Sequence, residues 1–209
     1  MRGSILLIIS VLLLLPGSVY ADNAAWEWTT TTINFSNGSW VFGIDFTVGD
    51  SNITVDALGY YYDPETGLTD NHPVGMYDSI GNLLASATVT SADPLVGHFE
   101  YAAISPIVLL AGDTYRVVGV SLSDLYTWDP TGFATSPAIT YLGDTYQSGT
   151  SLVDPAPEFH NDVEHGFFGP DFMISSTTPT IPEPSSVILL GTALGALCSW
   201  ARRCSSRAR

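Results

Sequence analysis

Residues 40–48 read Trp40-Val41-Phe42-Gly43-Ile44-Asp45-Phe46-Thr47-Val48, and a large apolar side chain recurs at every second position. Successive side chains of a β-strand point to opposite faces, so this period of two places the five large apolar residues on one face. The stretch therefore predicts a strand with one side in a hydrophobic core.

The same kind of pattern continues on both sides of this strand. Short runs of apolar, β-branched and aromatic residues alternate with clusters of Gly, Pro, Asn and Asp, and no helical period of comparable length occurs. Turns are predicted at Asp78–Asn82, where Gly81 can take a positive φ, and at Ala111–Asp113. Eight further strands are predicted at Trp26–Phe35, Ile53–Tyr61, Val74–Tyr77, Leu83–Thr90, His98–Ile104, Tyr115–Ser121, Ala138–Leu142 and Phe167–Ile174.

These segments predict an all-β fold for residues 22–174, a single antiparallel β-sandwich of the jelly-roll or immunoglobulin-like kind. The order of the strands does not follow from the sequence. Between Ser123 and Pro170 the chain is rich in Pro, Gly, Asp and Thr, and we expect long loops there. Residues 175–180 read as a polar linker.

The body of the chain, residues 22–180, is strongly acidic. It holds 20 of the 21 acidic residues and, of the six basic ones, only Arg116, which gives a formal charge of −19. Such a charge argues against nucleic acid as a partner, because nucleic-acid binding depends on basic side chains at the phosphates. Both cysteines, Cys198 and Cys204, lie in the tail, so no disulfide is expected in the body.

The first 21 residues have the pattern of a secretory signal peptide. Arg2 supplies an early positive charge, an apolar run covers residues 5–15, and a Pro16-Gly17 break precedes Val19-Tyr20-Ala21. We expect export through the secretion translocon and cleavage after Ala21.

The last residues, 181–209, have the order of a sorting signal. Pro182-Glu183-Pro184 precedes an uncharged segment, residues 185–201, and a basic tail, residues 202–209. The segment's 17 residues stand at the low end of the length that spans a membrane, and a buried C-terminal helix is the alternative. The positive charges that favour a transient anchor with a cytoplasmic end are Arg202, Arg203, Arg207 and Arg209.

This tail resembles the PEP-CTERM sorting signal of bacteria that possess an exosortase. The resemblance implies processing near Pro182-Glu183-Pro184 by an exosortase-like enzyme and delivery to the cell surface, envelope or extracellular matrix. The chain would be held only transiently in the inner membrane.

The body has a family resemblance of its own, which covers residues 41–120. It resembles an uncharacterised β-sandwich family whose members often precede PEP-CTERM tails, and whose related modules are attached to carbohydrate-active or matrix proteins. The resemblance implies a fold and a context but no activity. It is carried by Gly43–Val48, Ile53–Tyr60, His72–Asp78, Gly81–Val89 and Leu110–Tyr115.

Candidate metal ligands occur once as a dense group, His160, Asp162, Glu164 and His165. Imidazole and carboxylate groups suit several divalent ions, and Ca²⁺ fits carboxylates better than Zn²⁺ does. The spacing matches no recognised ligand motif, so a solvated loop is favoured over a metal site and no cofactor is predicted.

Catalysis finds little support in the sequence. There is no GxSxG nucleophile elbow, and the body has no cysteine. Paired carboxylates carry no weight, because 20 acidic residues form pairs in any fold. We therefore expect a protein that is not an enzyme, with a metal-dependent hydrolase as a remote alternative.

Aromatic residues offer ring faces that could stack on sugars. Alternation places Trp40 and Tyr60 in the core, whereas Trp128, beside Asp129-Pro130, is expected in an exposed loop. Trp128 is therefore the candidate sugar contact. The sequence predicts an exported structural or adhesive protein, with a carbohydrate-binding module that acts on exopolysaccharide as the alternative.

Overall fold

The structure, a computed structural model, describes residues 24–155, 159–160 and 166–175. All of them lie in the first of the two units into which the chain divides, Met1–Ser176. Within these residues every pair of strands is antiparallel and no helix occurs. The strands are β1 (Trp26–Glu27), β2 (Ile33–Phe35), β3 (Trp40–Val48), β4 (Ile53–Tyr61), β5 (His72–Asp78), β6 (Leu83–Val89), β7 (Leu95–Val96), β8 (Phe99–Leu109), β9 (Thr114–Val120), β10 (Tyr126–Trp128), β11 (Ala134–Thr135), β12 (Ile139–Ser148), β13 (Phe159–His160), β14 (Phe167–Phe168) and β15 (Pro170–Ser175).

Two larger sheets contain ten of these strands. The six-stranded sheet has the order β13-β12-β3-β9-β5-β6, and the four-stranded sheet has the order β15-β4-β8-β7. Two small sheets complete the fold, β14-β10-β2 and β1-β11.

The two larger sheets share one hydrophobic core. The ring of Phe46 on β3 lies 4.7 Å from that of Phe172 on β15, and Trp26 of β1 meets Phe172 edge to face at 5.5 Å. Tyr60 on β4 stacks on His72 of β5 at 4.0 Å. The predicted all-β antiparallel fold is thus confirmed, and two sheets that face one another across a core are consistent with a β-sandwich.

The strand from Trp40 to Val48 lies inside the six-stranded sheet, with the predicted bounds. Its predicted apolar face is buried at Phe42, Ile44, Phe46 and Val48. Trp40, which we expected in the core, is instead half-buried, because it begins the strand at the margin of the sheet.

The opposite face of this strand is covered as well. Residues 149–155 cross it: Leu152 packs on the small cluster formed by Val41, Tyr77, Val118 and Val120, and Pro155 comes close to Gly43. A side chain at Gly43 would place its Cβ 2.9 Å from Pro155 Cγ, so the crossing segment needs a glycine there.

Some predicted strands needed correction. Trp26–Phe35 is two strands, because residues 29 and 30 leave the sheet and donate their N–H groups to the carbonyl oxygen of Thr131. The region expected to hold long loops contains β10, β11 and the ten residues of β12. The predicted strand Ala138–Leu142 continues to Ser148 beyond an irregularity in its pairing with β3 between Tyr141 and Gly143.

The predicted turns are confirmed. At the first turn, Asp78 accepts hydrogen bonds from the backbone N–H groups of Ile80 and Asn82, and Gly81 has a φ of +84°. At the second turn, Gly112 has a φ of +79°. Both glycines therefore occupy left-handed backbone positions that other residues rarely adopt.

The predicted sorting segments lie outside the described residues. This holds for the cleavage site at Ala21, the motif Pro182-Glu183-Pro184, the apolar segment 185–201 and the tail with Arg202, Arg203, Arg207 and Arg209. In the described ranges no helix has the length and apolar character that crossing a membrane requires.

Candidate functional site

Five half-buried aromatic rings come together at the three-stranded sheet. We name this set the aromatic surface: Phe35, Trp40, Trp128, Tyr146 and Phe167. The ring of Phe167 lies at its centre, 5.3 Å from that of Tyr146 and 6.4 Å from those of Phe35 and Trp128. Trp40 extends the row through an edge-to-face contact with Tyr146 at 5.8 Å.

Two buried rings support the aromatic surface from below. Phe42 lies 4.5 Å from Tyr126, and both contact Phe167. The Tyr126 hydroxyl donates to Asn37 Oδ1 at 2.7 Å, and the same oxygen accepts Trp40 Nε1–H at 2.9 Å. Because the supporting layer is packed and hydrogen-bonded, the upper rings have fixed orientations.

Trp128 owes its position to the strand that it ends and to the turn that follows. On β10, Trp128 pairs with Ile33 of β2 and Phe167 of β14. The next residue, Asp129, has a φ of +53°, a left-handed conformation that Asp tolerates better than most residues. The turn therefore fixes Trp128 at the end of a strand, whereas the sequence had indicated an exposed loop.

The aromatic surface has the chemistry of a saccharide platform. Half-buried rings offer flat apolar faces that can pack against the C–H faces of sugar rings, and the exposed Asn37 is a polar residue at the edge of this surface. The rings supply contact area, and the Asn37 amide can orient a ligand.

His72 and Asp124 form a buried pair elsewhere in the fold. His72 Nδ1 lies 2.9 Å from the Val120 carbonyl oxygen, and its Nε2 lies 2.9 Å from Asp124 Oδ2. The two ring nitrogens thus each face a hydrogen-bond acceptor, one on the backbone and one on a side chain. The ring is wholly buried and parallel to that of Tyr60.

The Asp124 carboxylate is further saturated by its neighbours. It accepts the N–H groups of Thr69 and Asp70 at 2.7 and 2.8 Å and also the Thr69 hydroxyl. Burial would raise the pKa of Asp124, but the hydrogen bonds from Thr69, Asp70 and His72 outweigh it and lower the pKa. The pair fastens the segment before β5 to the segment before β10.

Arg116 is held between two carboxylates on the outer face of the six-stranded sheet. Its Nε and Nη2 donate to Asp45 at 2.7 and 2.9 Å, and its Nη1 donates to Asp154 at 2.6 Å. Burial lowers the pKa of Arg116, but the two carboxylates more than offset this and raise it. This network fixes residues 149–155 to the sheet.

Asp171 is a fully buried acid on β15. It accepts the Tyr101 hydroxyl at 2.6 Å and the Phe172 N–H at 2.7 Å. Burial raises the pKa of Asp171 well above its ordinary value, and the hydrogen bond from Tyr101 only partly opposes this. Gly59 lies opposite both residues in the sheet and gives the Tyr101 ring the space to reach Asp171.

A buried acid with a raised pKa is a common mark of active sites. Here, however, Asp171 is wholly inaccessible and its oxygens accept hydrogen bonds from its own surroundings. The acids at Asp45, Asp124 and Asp171 are therefore bound to groups within the fold, and the aromatic surface is the candidate functional site.

Comparison with known protein families gives one match. Residues 27–161 match the family model described as a domain of unknown function, DUF4082. The chain belongs to the DUF4082 family. No curated protein and no solved structure matches the chain.

The DUF4082 match agrees with the resemblance of the body to an uncharacterised family. It covers every strand from Ile33 to Ser148 and most of the aromatic surface, namely Phe35, Trp40, Trp128 and Tyr146, but ends before Phe167. The family description states no activity, so any role of the DUF4082 domain must be argued from its residues.

The aromatic residues noted in the sequence are distributed as follows. Trp26, Trp28, Tyr60 and Tyr61 are buried in the core, as predicted for Tyr60. Trp128 and Trp40 retain partial exposure in the DUF4082 domain. Sequence reasoning missed Phe35, Tyr146 and Phe167 as members of the site, because they come from separate strands whose convergence depends on the sheet order.

The candidate metal ligands lie beyond the side chains that the structure describes. They are His160, Asp162, Glu164 and His165. Within the part of the DUF4082 chain that is described, no group of three or more His, Cys, Asp or Glu residues is placed to hold a metal ion.

Proposed function

We propose that this chain is an exported protein of a bacterial cell surface or extracellular matrix, with a structural or adhesive role. The observation that carries the proposal is the order of the C-terminal residues: Pro182-Glu183-Pro184, an uncharged apolar segment and four closely spaced arginines. An exosortase-like enzyme would process the chain near this motif after the secretion translocon has delivered it.

The body suits a place outside the cytoplasm. It has no cysteine, so an oxidising environment cannot cross-link it, and its excess of carboxylates favours solubility. Its stability comes from a shared hydrophobic core and from hydrogen-bonded acids such as Asp124. These features support a durable binding or scaffolding module more than a catalyst.

Replacement of Pro182-Glu183-Pro184 by three alanines tests the sorting proposal. Export should continue, but maturation should stop, and a full-length form should accumulate in the membrane fraction. Alanines at Ser176, Thr177 and Thr178, in the predicted linker, provide the control and should leave processing unchanged. Equal processing of the motif variant and the wild type would refute the assignment.

A second candidate function is saccharide binding through the aromatic surface. It is favoured by the convergence of five half-buried rings over a packed layer, with Trp128 among them. The ligand class would be a neutral or cationic polysaccharide, because a body with a formal charge of −19 repels an anionic one. Such binding would give the adhesive role a molecular basis.

Retention on immobilised polysaccharide tests this second candidate. The Trp128→Ala variant should lose retention, because the variant loses its largest ring face on the aromatic surface. Tyr62→Ala removes a half-buried ring that lies outside the aromatic surface, and this variant should still be retained on the polysaccharide. No retention of the wild type on any neutral or cationic polysaccharide would remove this candidate while leaving the sorting proposal intact.

A further inference from the structure

The margins of the two larger sheets are not equally covered. Along β15, residues 24 and 25 add a short extension, in which Ala24 pairs with Met173 and the Ala25 N–H donates to the Phe172 carbonyl oxygen at 2.9 Å. Along β12 lies β13, and along the first residues of β8 lies β7. Among the described residues, no strand pairs with the free side of β6 or of residues 102–109 in β8.

This open margin carries no charge. The sequence of β6 is Leu-Leu-Ala-Ser-Ala-Thr-Val, and residues 102–109 are Ala-Ala-Ile-Ser-Pro-Ile-Val-Leu. Soluble proteins usually protect such edges with charged side chains. None of the 20 acidic residues of the body lies on these two strand segments.

The two open strands border a common uncharged groove. It has a volume of about 540 Å³, and its lining includes Leu84, Ala87, Ala103, Ile104 and Ile107. At the margin itself, Leu83 and Leu84 of β6 are 49% and 40% exposed. Hydrophobic residues of this size with so much exposed surface favour burial against a partner.

We infer that β6 pairs antiparallel with β6 of a second copy of this chain. Two copies that each carry a strong negative charge repel one another over most of their surface, so a neutral edge is where they can meet. A basic partner would instead bind where the carboxylates are. Pro106 has no backbone N–H and therefore interrupts the hydrogen-bond donors of β8. β6 has no proline and can form a continuous ladder of backbone hydrogen bonds.

The pairing would follow a two-fold axis through the middle of β6, at Ser86. Each strand then supplies the N–H and C=O groups that the other lacks, and two six-stranded sheets join into one. The groove beside β6 would be covered from both copies. Such a dimer goes beyond the proposed surface role, and it would give a matrix protein a means of self-association.

Charge gives this dimer a distinctive salt dependence. Added salt screens the repulsion between the two acidic bodies but leaves the neutral edge unaffected, so the dimer should strengthen as salt rises. A dimer held together by ion pairs would instead weaken as the salt concentration rises.

Sedimentation of the protein isolated from the producing cells, over a range of concentrations and NaCl, tests the inference. The wild type should be dimeric and more so at high salt, and Ser86→Asp should shift it to the monomer. Thr140→Asp places the same charge at an exposed position of β12, which three strands separate from β6 in the sheet, and should remain dimeric. A monomeric wild type at all concentrations, or a dimer that Ser86→Asp leaves unchanged, would overturn the inference.

A cross-link provides a second measurement that does not depend on loss of association. The Ser86→Cys variant should form an intermolecular disulfide at that position on mild oxidation, since directly opposed antiparallel residues have Cα atoms about 4.5–5.5 Å apart. The same change at Thr140 should not, as peptide mapping would show. A dimer in which the Ser86→Cys variant stays reduced would contradict the two-fold pairing.

Discussion

At the scale of single residues, the acids of this chain behave in two opposite ways. Asp124 is surrounded by donors that favour its charged form, whereas Asp171 is buried with too few donors to offset the loss of water. Ionised Asp124 therefore increases the free energy of unfolding, whereas ionised Asp171 decreases it. The chain therefore contains both stabilising and destabilising carboxylates.

Replacement of Asp171 by Asn should stabilise the protein at neutral pH. Because burial raises the folded-state pKa of Asp171 above its unfolded value, the folded chain binds this proton more tightly. The stability that protonation provides is fully present below the unfolded pKa and is lost as pH rises through the folded pKa. Asn removes this titration and keeps an acceptor for Tyr101.

Thermal unfolding from about pH 8 to about pH 4 should show the Asp171→Asn advantage shrinking as pH falls. Asp78→Asn is a control whose expected effect on stability has the opposite sign: this variant should be less stable than the wild type at neutral pH. Hydrogen bonds from Asn82 lower the pKa of Asp78, so its contribution is present at neutral pH and is lost as pH falls through the folded pKa. An Asp171→Asn variant that is less stable than the wild type at neutral pH would contradict the sign of the shift.

Some single-residue assignments could be made from the sequence and others could not. Tyr60 was placed in the core correctly, because alternation along one strand decides it. The half-burial of Trp40 and the strand position of Trp128 depend on neighbours from other strands. The burial of Asp171 gave no signal, since an acid beside apolar residues reads as solvent-exposed.

At the scale of elements, β3 shows why period alone is an incomplete guide. Its alternation predicted one buried face, yet residues 149–155 bury the other face too, through Leu152, Pro155 and the Asp154–Arg116 ion pair. This segment follows β12 and contains no predicted element. Its contact with β3 arises from long-range packing, which a local pattern does not reveal.

Gly43 should be sensitive to the addition of a single methyl group. A Cβ there would lie 2.7 Å from Arg116 Cδ and Thr145 Oγ1 and 2.9 Å from Pro155 Cγ, so the crossing segment or the Arg116 network must move. We expect Gly43→Ala to cost about 1–3 kcal/mol of unfolding free energy. Urea unfolding measures this.

The matched substitution is Thr140→Ala, at an exposed position on the adjacent strand β12, which should change the free energy of unfolding by less than about 0.5 kcal/mol. Equal stabilities of the Gly43→Ala and Thr140→Ala variants would mean that residues 149–155 do not press on β3.

The strands with regular patterns were predicted best. The bounds of β3 and β4 agree with the prediction, those of β6 differ by one residue at one end, and those of β9 differ by one residue at each end. The second half of β12 was missed, because Gly143, Asp144 and Gln147 have low strand propensity and are held by pairing with β3 and β13. Tertiary pairing outweighed local preference there.

At the scale of the whole molecule, the formal charge of −19 in the body opposes compactness. We expect the Tm to rise with NaCl, because screening shortens the range of this repulsion from about 10 Å at 0.1 M to about 3 Å at 1 M. The effect should diminish near pH 4, where many carboxylates are protonated. A Tm that falls with NaCl at neutral pH would mean that surface ion pairs dominate instead.

Under the proposed sorting, the acidic β-domain reaches its destination after both ends of the chain have been removed. Mass spectrometry of the protein recovered from the cell surface or culture matrix would identify its terminal peptides. We expect an N-terminus at Asp22 and a C-terminus within or next to Pro182-Glu183-Pro184. A native protein found in the cytosol with Met1 and Arg209 both present would contradict it.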